Sequence, residues 1–315
     1  MSGGGHGLAA VGMELPEAAD RALGPPEAIV VRLLSFAARV ASNCPLVLRD
    51  VASLYAATAP TTCRGELGAA PHFAITEYRR DGYGPCYRLS RADRGLRVFR
   101  APRDAVAHLE YLVNAAAARA LARNLLVHAG VVATGRRGIL LPGASGQGKS
   151  TLVAALCLAG FTYFSDELAV LDGESLSLLP FLKAICLKDG GWQMLAGSFE
   201  APPPLLGAVR VDGEAVRYLP APNPCSPDGR AEVRHVVVPV RQPGAAVALA
   251  LCSPARALAE LARHSLNLPR HGRRGVESLA GLVERASCFT LTYDDLRGAV
   301  GVISDLAGQR RLVRG

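Results

Sequence analysis

Residues 143–150 read Gly-Ala-Ser-Gly-Gln-Gly-Lys-Ser, the pattern GxxxxGK[ST]. The apolar run Gly-Ile-Leu-Leu-Pro-Gly leads into it, and Lys-Ser-Thr-Leu-Val-Ala-Ala-Leu-Cys-Leu-Ala-Gly follows. A strand, a glycine-rich turn and a helix in that order require helices layered on a sheet, so an α/β fold is expected. Each position in the turn has a physical task. Gly143, Gly146 and Gly148 allow a tight turn whose N–H groups converge on an anion, and the next helix points its positive end at the same place. Lys149 adds a point charge suited to β- and γ-phosphates, and the Ser150 hydroxyl suits Mg²⁺. Ala144, Ser145, Gln147 and Thr151 complete the expected phosphate-contacting run.

The rest of the chain bounds the setting. Its 315 residues suggest about two domains. Half are hydrophobic and a fifth charged, enough to bury a core. The net charge of +8 permits anionic partners without selecting one, so a nucleic-acid role rests on charge alone and is not expected. Only Lys149, Lys183 and Lys188 are lysines among 35 basic residues, which makes each lysine informative. The N-terminal stretch lacks a basic region followed by an apolar run, so no signal peptide is expected. No stretch is apolar and long enough for a membrane helix. The eight cysteines are scattered with no CxxC pair, which points to reduced thiols in a cytoplasmic protein rather than to zinc.

Periodicity and breakers divide the chain into three parts. Residues 1–26, rich in Gly, Ala and Pro, read as a loose arm. Residues 27–125 read as a small α+β unit: a strand at 28–35, a helix near 46–57, and strands at 73–79, 86–90 and 96–100. A helix over 104–125 bridges into the next part, with Val106, Leu109, Leu112 and Val113 on one face. Residues 126–315 alternate strands and helices. Strands are expected at 126–132, 138–141, 161–164, 168–171, 233–240, 247–251 and 288–292. Helices are expected at 149–159, 254–263 and 275–285, with a last one after Asp294-Asp295. The proline-rich segment 201–230 should be mostly loop.

Phosphoryl transfer needs carboxylates beside the phosphates. Asp166-Glu167 follow the strand 161–164, and Asp166 lies 17 residues after Lys149. His128, in the apolar run Leu-Leu-Val-His-Ala-Gly, fits a core histidine and a functional one equally. Lys183 and Lys188 are read either as approaching the site or as exposed. Residues 263–274, Arg-His-Ser-Leu-Asn-Leu-Pro-Arg-His-Gly-Arg-Arg, read as a cationic loop in which Arg270, Arg273 and Arg274 suit bidentate phosphate contacts or plain solvation.

His128-Ala-Gly, then Gly143-x-Ser145-Gly-x-Gly-Lys-Ser150, then an acidic pair 17 residues past the lysine together resemble the catalytic domain of HPr kinase/phosphorylase, and more closely the HPr kinase-related proteins. The resemblance covers roughly residues 126–307. It implies an ATP- and Mg²⁺-dependent serine kinase, with His128 beside the phosphate loop. Asp166 would be the base for the acceptor hydroxyl, and Glu167 would help hold the metal. HPr kinase proper has two aspartates where Asp166-Glu167 stand, and usually glutamate where Thr151 stands. The acceptor expected is a peptide or protein; a homo-oligomer is compatible with the sequence. Two alternatives are a small-molecule kinase of the shikimate-kinase type and a nucleotide-dependent peptide-binding or assembly module.

Overall fold

The computed structural model describes residues 21–22, 24–62, 70–80, 84–92, 94–144 and 146–308. The fold is mixed α/β, with three sheets and seven α-helices among the described residues. The first sheet is built from β1 (Arg21–Ala22), β2 (Glu27–Leu33), β3 (Phe36–Ser42), β4 (Thr61–Thr62), β5 (His72–Arg80), β6 (Gly84–Arg91) and β7 (Arg94–Phe99). Their order is β4-β2-β3-β5-β6-β7, with β1 also on β5. Helices α1 (Pro45–Leu54) and α2 (Pro102–Ala120) accompany this sheet. β3 escaped the sequence reading. Its Phe36, Ala38 and Val40 alternate inward, but alanine is a weak strand former, and the reversal before it is made at Leu34 with φ 57° rather than at a glycine. The arm expected over residues 1–26 lies mostly outside the described residues, yet its Arg21–Ala22 pair is held against β5.

The second sheet contains β8 (Leu125–Thr134), β9 (Arg137–Pro142), β10 (Thr162–Ser165), β11 (Leu168–Leu171), β12 (Leu178–Leu179), β16 (Glu232–Arg241), β17 (Ala248–Leu251) and β18 (Ser287–Tyr293). β9 lies between antiparallel β8 and parallel β16, and β16 continues parallel to β18. Helix α3 (Lys149–Leu158) packs on β8 closely enough that a Cβ at Gly130 would come 2.5 Å from Val153 Cγ2. That close approach explains the glycine in His128-Ala-Gly. A third sheet, β13-β15-β14, joins β13 (Ile185–Lys188), β14 (Leu206–Val209) and β15 (Ala215–Leu219), with α4 (Asp189–Ser198) following β13.

Residues 201–230 are mostly loop, as expected, but a stretch without proline between Pro204 and Pro220 forms the β14–β15 hairpin, turning at Gly213 with φ 83°. One expectation is corrected: residues 263–274 are not a loop. They run from the end of α5 (Pro254–Arg263) into α6 (Leu268–Arg285), which breaks at Gly272. Ser253 caps α5 by accepting from Arg256 N at 3.3 Å, as its place before Pro254 predicts. Asp295 likewise caps α7 (Leu296–Leu306).

The N-terminal sheet and the third sheet share one apolar core. Val40, Leu54, Phe73 and Leu89 pack in the same cluster as Val106, Leu109 and Val113 of α2 and as Leu168, Phe181, Val216 and Tyr218. Ala184 N donates to Leu54 O at 2.6 Å across this join. Helix α2 is thus buried between the two halves, which explains why polar residues on its inner face reach the cleft described next.

Candidate functional site

The glycine-rich loop leaves the end of β9 and enters α3. Gly146 and Gly148 adopt φ 85° and 79°, the left-handed region where a side chain is strained. Gly148 occupies the cap position of α3, and no side chain satisfies the helix's first N–H groups. Those donors and the helix dipole make this end of α3 attractive to an anion. Gln147 braces the loop, its Oε1 accepting from Ala144 N at 3.0 Å; a Cβ on Gly143 would come 2.7 Å from that oxygen. Ser145 lies outside the described residues.

Lys149 is only 5% exposed. Its Nζ donates to Ala144 O at 2.6 Å and lies 3.2 Å from His128 Nε2. Burial lowers the ammonium to about 8, a fall that Asp166 and Glu167 partly counter. Burial and Lys149 also lower His128, so its neutral Nε2 accepts from the lysine. His128 therefore serves as a partner of Lys149 rather than as a filler of the core. Ser150 and Thr151 line the same cleft. Thr151 also packs against α4, where a Cβ on Gly191 would come 2.5 Å from Thr151 Oγ1.

The acidic pair reaches this cleft by a route the sequence did not reveal. β10 does not neighbour β9; both β10 and β11 pair antiparallel with β8, on its other side. They form one long partner strand for β8, interrupted at Asp166-Glu167. Ser165 Oγ closes the interruption, accepting from Glu167 N at 3.2 Å and Leu168 N at 3.0 Å. Because β8 runs opposite to both β9 and β10, the carboxyl ends of β9 and β10 lie at the same end of the sheet. Asp166, Glu167, His128 and Lys149 all line one cleft.

A buried cation ties the pair together. Lys183, 1% exposed, lies 3.4 Å from Asp166 Oδ1, 3.3 Å from Glu167 Oε2 and 3.2 Å from Glu110 Oε1. Burial disfavours the ammonium, but the carboxylates of Asp166, Glu110 and Glu167 outweigh it and hold Lys183 well above its ordinary value. Glu110 and Asn114, one turn apart on α2, complete the network. Asn114 Nδ2 donates to Glu110 Oε1 at 2.5 Å and Glu167 Oε2 at 3.1 Å. Tyr163 OH donates to Asp166 Oδ1 at 3.0 Å. Burial raises Glu110, whereas Glu167, whose side chain stays 42% exposed, is also desolvated but is held below the usual range by Lys183.

Several predicted residues converge and others do not. Lys183 is buried in the network and Lys188 lines the cleft, so both approach the site. Arg270, Arg273 and Arg274 do not: they are exposed on α6, outside the cleft lining, and Arg273 pairs with Glu277 at 2.7 Å. The cationic run meets the site only through His264, whose carbonyl accepts from His128 N at 2.8 Å. Arg210 and Arg241 line the cleft instead. Arginine identity gave no signal for them, because nearly every basic residue here is arginine. Glu110 had one: with Asn114 it is a polar pair among the buried positions of α2. The seven described cysteines are free, and no described helix is long and apolar enough to cross a membrane. No protein-family model matches the chain, and no curated protein matches it either.

Proposed function

We propose that this protein is a P-loop kinase of the HPr kinase type, transferring the γ-phosphoryl group of ATP to a serine hydroxyl on a peptide or protein. One observation carries the reading: a glycine-rich anion cradle with Lys149 and His128, and an acidic pair held by Lys183, line the same cleft. A cradle alone would bind phosphate; carboxylates beside it add a place for the acceptor's proton. The same cradle would also serve a nucleotide-dependent binding module. The network built around Asp166 favours chemistry over binding alone.

Mg²⁺ is held in such sites by few protein groups together with phosphates and water. Ser150, Asp166 and Glu167 supply a hydroxyl and two carboxylates on one cleft, and among the described residues no three His, Cys, Asp or Glu groups could hold an ion by themselves. The residues therefore fit an ion shared with the nucleotide, which would neutralise charge on the transferred group. The chain's own residues do the rest. Backbone N–H groups of 143–150 and Lys149 hold the phosphates. His128 orients Lys149. Asp166 orients the acceptor hydroxyl and takes its proton as the new P–O bond forms and the bond to ADP breaks. Lys183 keeps both carboxylates in place.

Lys149 supplies the first test. Lys149→Ala should remove most MgADP affinity. Wild-type affinity should also depend on pH with a definite sign. The binding form is protonated Lys149, whose value in the free protein is about 8. Affinity should hold below that pH and fall by up to about tenfold per unit above it. Lys149→Arg stays charged throughout and should flatten the profile. Titration of a fluorescent ADP analogue across this range checks both, with circular dichroism as the folding control. Unchanged affinity in Lys149→Ala would remove the cradle from the account.

A further inference from the structure

Arg210 sits half-buried in the cleft wall at the start of the β14–β15 turn. Among the described residues its guanidinium has no ion pair and no hydrogen bond. The neighbouring cations are otherwise occupied: Lys188 pairs with Glu214 at 2.8 Å and Arg217 with Asp189 at 3.1 Å. Glu110 and Asp212 act on it from a distance, and a partly desolvated guanidinium that makes no direct bond to the described residues is suited to a carboxylate or phosphate from outside. Tyr111 lines the same cleft and is 51% exposed. Tyr111 is stacked on His108 at 5.9 Å, so the ring is held rather than free to swing. Burial disfavours protonation of His108, and Arg97 and Arg210 add to that.

The location matters as much as the charge. Tyr111 follows Glu110, which contacts Lys183, which in turn contacts Asp166 and Glu167. Arg210 acts on Glu167 as well. This wall thus adjoins the acidic pair, while the glycine-rich loop has its own cations in Lys149 and Arg241. A chain segment resting on Tyr111 and Arg210 lies in the same cleft as Asp166 and Glu167.

We propose that Tyr111 and Arg210 form an acceptor subsite that reads an acidic residue flanking the phosphorylated serine of an extended peptide. Arg210 takes the flanking carboxylate bidentately, and Tyr111 provides the apolar face for the adjoining backbone. The subsite rests on the kinase reading only for the word "phosphorylated"; selective peptide binding can be measured without transfer.

The test uses the full chain and three sets of short fluorescent serine-centred peptides, flanked by Glu, Gln or Lys. Binding is read by anisotropy with MgADP present, and transfer by phosphoserine mass spectrometry with MgATP. One charge-assisted bidentate contact should favour the acidic set over the basic set by about tenfold or more. Arg210→Gln should level the series, and Arg210→Glu should invert it, while MgADP affinity stays within about threefold. Tyr111→Ala should weaken all three sets together. An inverted preference is an outcome that mere loss of folding cannot produce. Equal binding of the three sets by wild type would overturn the subsite, as would an unchanged ranking in Arg210→Glu. A large loss of MgADP affinity in both Arg210 variants would assign the arginine to the nucleotide instead. Charge-selective binding without any phosphoserine would leave the subsite standing and remove the kinase reading. Phosphoserine formed with no charge preference would do the reverse.

Discussion

Lys183→Met should cost about 3–5 kcal/mol of stability at neutral pH, a large part of what a domain of this size has. The substitution keeps length and apolar stem but leaves Glu110 and Asp166 facing each other across a buried space with no cation between them. The exposed side of Glu167 is screened by water, so its share of the loss is small. The effect has a pH signature. Lys183 is held above its ordinary value, so its contribution is complete below about pH 10 and fades only above that. Glu167 is held below its ordinary value, so its contribution is present above about pH 4.5 and fades as pH falls below that. In wild type the contributions of these two groups should therefore be full between those limits. In the variant the unpaired carboxyls take up protons more readily, so the deficit should shrink as pH falls toward about 5. Urea unfolding of both proteins at about pH 7.5 and about pH 5 measures this. A deficit under about 1 kcal/mol at both pH values would mean that the network is not the structural centre described here.

Asp166→Asn should lose about 10²–10⁴-fold in turnover while retaining nucleotide affinity. Asparagine keeps the shape and can still accept from Tyr163, but it cannot take a proton from an acceptor hydroxyl. In the proposed site the phosphate contacts come from the glycine-rich loop and Lys149; the change leaves the Lys149–Ala144 bond in place but removes a carboxylate that supports the ammonium, so affinity is compared well below pH 8. Glu167→Gln should act differently, raising the Mg²⁺ concentration needed for half-maximal rate more than it lowers the limiting rate. Single-turnover kinetics with a Mg²⁺ titration separate the two. Normal turnover in Asp166→Asn would exchange or cancel these roles.

The legible and illegible parts of this protein differ by how local their causes are. The turn at 143–150, the helix after it, the capped helix at 254–263 and the strand at 168–171 follow from neighbours in sequence, and the structure has them where the residues indicate. The spacing of 17 residues would bring Asp166 beside Lys149 if the strand at 161–164 neighboured the strand before the loop. The juxtaposition arises instead because β8 lies between β9 and an interrupted β10–β11 partner, a long-range pairing that no local pattern encodes. Lys183 stood out only because lysine is rare here, and its burial against three carboxylates depends on α2 from the other half of the chain. Arg270, Arg273 and Arg274 illustrate the opposite error. Charge density drew attention to them, yet the amphipathic helix that carries them turns that charge to solvent. Arg210 and Arg241 face the cleft with no local mark at all.

The central claim is that one cleft both holds ATP and moves its terminal phosphate to a hydroxyl. The most direct measurement is incubation of the full chain with γ-labelled ATP, Mg²⁺ and a serine-centred peptide library, with Lys149→Ala and Asp166→Asn run alongside. The account predicts acid-stable, base-labile label on peptide serine with wild type, no label with Lys149→Ala, and strongly reduced label with Asp166→Asn despite intact nucleotide binding. Intact nucleotide binding with no label on any peptide, or equal label with wild type and Lys149→Ala, would contradict it.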